Sequence, residues 1–137
     1  MFLILFCILF NTDPNLRLPL INWNHTKQWK IYKLNSSSRV FAIPTDSIPS
    51  LKGIPLNDDS IHIFFRNAKL LRVPSSPAWM GCYLTSCEDE KGYLMKIIIS
   101  QYGGFILNSF DGNYYQLDDA STPLWLDYMR RAYIKTE

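Results

Sequence analysis

Between residues 79 and 117 the chain alternates runs of apolar, β-branched and aromatic residues with short polar clusters. WMGCYLTS is strand-like, CEDEKG is a polar turn, and YLMKIIIS is rich in β-branched residues. QYGG turns again, GFILNSF extends, Asp111-Gly112 supplies a hairpin signal, and NYYQL closes the series. Side chains on a strand point alternately to its two faces, and Gly, Asp and Asn suit the tight turns between strands. The pattern therefore predicts three or four neighbouring antiparallel strands.

The first half is less regular. WKIYKL (29–34) and RVFAI (39–43) flank Asn35-Ser36-Ser37-Ser38 and predict a hairpin. Most of the Ser, Pro and Asp lies in 35–60, which reads as turns around short strands. In IHIFFRNAKLLRV (61–73), Ile61, Ile63 and Phe65 alternate with His62, Phe64 and Arg66, predicting a strand. Asn67-Ala68 then reads as a tight turn into a second strand, or as a bulge.

The period changes in STPLWLDYMRRAYIK. Trp125, Tyr128, Met129, Ala132 and Tyr133 share one face at helical spacing, and Thr122 with Pro123 suits a helix start. Arg130, Arg131 and Lys135 fall near the carboxyl end, where they favour the helix dipole. These residues predict one amphipathic helix over 123–135. No repeat or long linker divides the chain, so 19–137 reads as one mainly β (α+β) domain. It is expected to be a single antiparallel sheet, a small sandwich or partly open barrel, with one C-terminal helix.

Residues 1–18 open with FLILFCILF, nine consecutive apolar residues. That is short of the roughly 20 needed for a membrane-spanning helix, so no transmembrane span is expected. The run matches the apolar core of a secretory signal, although no Lys or Arg precedes it and no small-x-small site follows. A fully buried first strand and an uncleaved anchor are the alternatives. A signal places the protein in the periplasm, the cell envelope or the medium; a strand leaves it in the cytoplasm.

Composition narrows the chemistry. A hydrophobic fraction of 47% and a charged fraction of 19% describe a folded domain, and a net charge of +2 is too small to mark a polyanion-binding protein. No serine-hydrolase elbow, phosphate loop, zinc-protease helix or dinucleotide fingerprint occurs. His25 and His62 are the only histidines, and Cys82 and Cys87 form the only close cysteine pair, so neither a metal site nor a cofactor is expected. For the cysteines, a short-loop disulfide and two unbonded thiols stay open. Five extended residues span roughly 16 Å, whereas a disulfide needs Cα atoms within about 7 Å, so a bond requires a bend inside Tyr83–Ser86.

Candidate contact residues are aromatic and basic, as interfaces favour. They are Trp23, Trp29 and Tyr32 in the basic front, Arg66 and Arg72 in an aromatic–basic stretch, and Trp79 after a Pro-Ser loop. The function expected is a non-enzymatic protein-interaction module outside the cytosol, such as an inhibitor, an immunity-type protein or a surface-associated binder. Its partner is then another protein rather than nucleic acid. One alternative is a small barrel carrying an apolar ligand; a third is a small hydrolase using His62 with nearby carboxylates.

Overall fold

The computed structural model describes residues 21–34, 37–72 and 82–134. Its strands are β1 (Lys27–Tyr32), β2 (Gly53–Pro55), β3 (Lys69–Leu71), β4 (Cys82–Glu88), β5 (Leu94–Ser100), β6 (Phe105–Asn108) and β7 (Asn113–Gln116). They pair antiparallel throughout, in the spatial order β2-β1-β4-β5-β6-β7-β3. The sheet is open, with β2 and β3 as its edges, so the single antiparallel sheet forms without closing into a barrel or doubling into a sandwich.

The meander from β4 to β7 follows the alternation in the sequence. Glu88 pairs with Leu94 and Asn108 with Asn113, so two hairpin tips close on the polar clusters between them. Gly92 and Gly112 supply the left-handed residues of those tips, at φ 86° and 73°, where a side chain would be strained.

Two segments depart from expectation. RVFAI does not pair with WKIYKL; Ser37–Ala42 and Thr45–Ser50 form 3-10 turns, and β1 pairs with β2 and β4. Pro44 and Pro49 lack the N–H that a ladder needs, and they interrupt this stretch. Val40 and Ile48 are nevertheless buried, so the turns act as a cover for the sheet.

The second departure is α1, Asp58–Phe65, which stands where a strand was expected and adds a second helix to the C-terminal one. Asn57 caps it, its side chain accepting from Ser60 N at 2.9 Å, and Asp58 and Asp59 lie in the first turn. Ile61 and Phe65, four residues apart, are both buried. The Asp58 carboxylate also accepts from Gln28 N and Trp29 N, both at 3.0 Å, where β1 shifts register and Gln28 takes φ 56°. The bulge and α1 thus hold each other in place. As expected, a turn at Asn67-Ala68 leads into a strand, β3.

Helix α2 spans Ser121–Ile134, two residues longer at its start than expected. Asp118 is its capping side chain, accepting from Ser121 N at 3.2 Å. Thr122 sits inside the first turn instead and donates to the Asp118 carbonyl at 2.8 Å. Trp125 and Met129 are fully buried beneath the helix.

The sheet has two unlike faces. On the helix side, Trp23, Trp29, Phe65 and Trp125 form an aromatic cluster, with Phe65 edge-on to Trp23 at 4.8 Å and to Trp125 at 4.9 Å. On the other side, the 3-10 turns cover Tyr32, Leu84 and Ile98. Residues 1–18, with Cys7, and Trp79 lie outside the described residues. Among the described residues, no helix is long and apolar enough to cross a membrane.

Candidate functional site

Both hairpin tips lie at one end of the sheet, beside the 3-10 turn Trp23–His25. Between the three is a cleft of about 420 Å³ with a largely apolar lining. Met95 and Ile21 contribute to its lining together with Tyr93 from the β4–β5 tip and Phe110 from the β6–β7 tip. Tyr93 is 64% and Phe110 76% exposed, unusual for large aromatic groups in a folded domain.

The tips themselves are ordered by side chain to backbone bonds. Asp89 Oδ1 accepts from Lys91 N at 2.9 Å and Tyr93 N at 2.8 Å. Asp111 Oδ1 accepts from Asn113 N at 2.8 Å, while Asn108 Oδ1 accepts from Phe110 N at 2.9 Å. Such local bonds favour turns over further strand and aim the aromatic residues outward. The Tyr115 hydroxyl donates to Asp111 Oδ2 at 3.3 Å, and burial with the Asp111 charge pushes the phenol up to about 12. His25 Nδ1 meets Glu90 Oε2 at 3.1 Å at the mouth of the cleft.

A cleft of about 470 Å³ between the β5–β6 turn and α2 is as large but more polar, and Asp127 holds its Arg130 at 2.9 Å. Comparison with protein-family models, with curated proteins and with solved structures finds no match for this chain.

Of the residues expected at an interface, Trp23, Trp29 and Tyr32 are core residues instead. The indole Nε1 of Trp29 donates to Thr26 Oγ1 at 2.8 Å, and the Tyr32 hydroxyl meets Ser86 Oγ at 2.8 Å. Arg66 and Arg72 are exposed on either side of β3 and do not line the Tyr93–Phe110 cleft, although the register, with Leu71 opposite Tyr114, brings Arg72 toward the β6–β7 tip. Phe64 and Phe65 pack against Trp125, so they offer no stacking platform beside those arginines.

The cysteine question is answered by parity. Cys82 and Cys87 are five residues apart on one extended strand, so they point to opposite faces: Cys82 with Leu84 under the 3-10 turns, Cys87 with Tyr83 under the helices. Both are free thiols, and the short-loop disulfide does not form because the chain does not bend there. Burial pushes the Cys82 thiol up to about 11, and burial together with Asp58 and other nearby carboxylates pushes Cys87 up further. Neither is an activated nucleophile.

His62 is structural in its contacts. Its Nε2 lies 2.7 Å from the Thr26 carbonyl, tying α1 to the start of β1. Among the described residues, no group of three or more His, Cys, Asp or Glu could hold a metal ion.

Tyr93 and Phe110 were not among the expected contact residues, although the sequence carries a signal for them. Each sits inside or beside a turn cluster, in EDEKGY and NSFDG, where strand burial does not reach.

Proposed function

We propose that this chain is a non-enzymatic protein-interaction module whose contact surface is the end of the sheet carrying Tyr93 and Phe110. The observation that carries this is the placement of two exposed aromatic side chains on hydrogen-bonded turns around one apolar cleft. Aromatic groups of this kind act as anchors because they bury much area while losing little side-chain freedom. A polar rim that can exclude water surrounds them, as expected at a hot spot. The high thiol pKa values and the bond from His62 to a backbone carbonyl favour binding over nucleophilic or acid–base catalysis.

Action outside the cytosol is the second half of the proposal. It is supported by the apolar run at 2–10 and does not depend on a disulfide.

The test is site-specific photo-crosslinking in the native cells, with p-benzoylphenylalanine at Tyr93 or Phe110 and a control at the exposed Ile134 of α2. A discrete protein adduct from positions 93 and 110, absent at 134, is expected. Adducts from all three positions alike, or from none, overturn the interaction surface. The intact mass of the same preparation tests export: loss of about the first 15–20 residues is expected if 1–18 is a cleaved signal.

A further inference from the structure

We propose, building on the interaction reading above, that the cleft docks a cationic protein segment in which a lysine or arginine neighbours a large apolar side chain. The apolar half of that segment matches Met95, Tyr93 and Phe110. The cationic half follows from the charges around them. Asp89, Glu90 and Asp111 all border the cleft, against Lys91 and a His25 already engaged by Glu90. In a chain of net charge +2, the lining of the cleft is a local reversal of sign.

Two of the three carboxylates are fixed before anything binds. Of the Asp89 carboxylate oxygens, Oδ1 takes the backbone donors of Lys91 and Tyr93 and Oδ2 takes neither, while the Asp89 backbone bonds Tyr93 O and Gly92 N across the same turn. Asp111 is held by Asn113 N and the Tyr115 hydroxyl. Preset acceptors spare the ordering cost that a flexible surface carboxylate incurs on binding. Exposed rings add to the preference for a cation. An arginine or lysine stem lies well on Tyr93 or Phe110, with its charged end over the ring or at the carboxylates. An anionic segment would meet the same rim as repulsion.

The experiment is an NMR titration of the ¹⁵N-labelled chain with two acetylated, amidated hexapeptides, GRWLRG and its charge-reversed twin GEWLEG. The amides of Asp89–Met95 and Asn108–Asp111 are expected to shift with the first peptide, which should bind about tenfold or more tightly than the second. Raising salt should weaken that binding. The variant D89N/E90Q/D111N removes charge while an amide oxygen still serves Lys91 N and Tyr93 N at position 89 and Asn113 N at position 111, where the Oδ2 acceptor of the Tyr115 hydroxyl is given up, and it should lose the preference. E90Q alone, outside the turn bonds, should lose part of it even if the triple variant folds poorly. Y93A/F110A should lose both peptides.

Equal binding of the two peptides, or a preference that survives neutralisation, overturns the charge assignment while leaving the interaction surface standing. Failure of both peptides to shift the cleft, together with absent crosslinks at Tyr93 and Phe110, overturns the two proposals together. Shifts that track protein concentration alone mark a second copy of the chain as occupant. A small apolar molecule that co-purifies and blocks both peptides marks a ligand site. Either result overturns the cationic segment.

Discussion

The two faces of the sheet are built from the same strands and held by different means. Along β4, Tyr83, Thr85 and Cys87 turn to the helices while Cys82, Leu84 and Ser86 turn to the 3-10 cover; along β5, Met95, Ile97 and Ile99 oppose Lys96, Ile98 and Ser100. The helix side is a close-packed aromatic and aliphatic cluster. The other side buries Lys96 and Ser86 among its apolar groups. The cause is the cover. A helix satisfies most of its own backbone and presents side chains, whereas a short 3-10 segment brings carbonyls that still need donors. Lys96 answers that need, donating from Nζ to the Ile43 carbonyl at 2.6 Å and the Phe41 carbonyl at 3.4 Å. Packing carries one face and polar satisfaction carries part of the other.

The largest test removes packing. Trp125 is fully buried, and its Nε1 is the buried side-chain polar atom without a hydrogen-bond partner among the described residues. Trp125→Ala should cost about 3–5 kcal/mol in urea unfolding. Trp125→Phe should cost less, because one aromatic ring still fills part of the site and the indole N–H has no partner to lose. If the two cost the same, the aromatic cluster is not what holds the helix face.

A smaller effect is expected opposite. Lys96→Met keeps the stem but leaves the Ile43 and Phe41 carbonyls without their donor, for a loss of about 1–2 kcal/mol. Amide exchange should quicken across 37–50 before the rest of the sheet. A stabilised variant would invert the comparison, meaning that the buried charge costs more than its bonds return.

The smallest effect is in pH. Burial raises the Cys82 thiol from 9.0 to about 11, so the folded chain holds this proton more tightly than the unfolded one. Its contribution is complete below about pH 9 and is lost as pH rises through about 11. Lys96 has the opposite sign, since burial lowers its pKa and stability from this group rises as pH approaches its ordinary 10.5. Cys82→Ser should flatten the alkaline loss in stability, and Lys96→Met should steepen it. Alkylation of native Cys82 at pH 8 should run about a hundredfold slower than in the unfolded chain, following the thiolate fraction.

The meander β4–β7 was legible because its β-branched and aromatic runs and its turn residues agree over seven consecutive segments. Helix α2 was legible from its period of 3.6. Helix α1 was not, because eight residues hold barely two turns, and IHIFF fits either period. What favours helix there is partly local, in the Asn57 cap and the first-turn acids, and partly distant, in the β1 bulge amides that Asp58 accepts from. The candidate site was missed on the same ground. Aromatic residues identify neither core nor surface by themselves, and Trp29 at 1% exposure and Phe110 at 76% differ only in what surrounds them.

By itself the sequence determined the antiparallel meander, the C-terminal amphipathic helix and the turn positions, because alternation, capping and turn chemistry act over a few residues. Only the tertiary structure decided that the sheet stays open, which cover lies on which face, that Cys82 and Cys87 are separated by the sheet, and that two hairpin tips meet around one cleft. Those outcomes depend on which distant segments pack together, and that choice follows from summed burial and backbone satisfaction over the whole fold rather than from any local pattern.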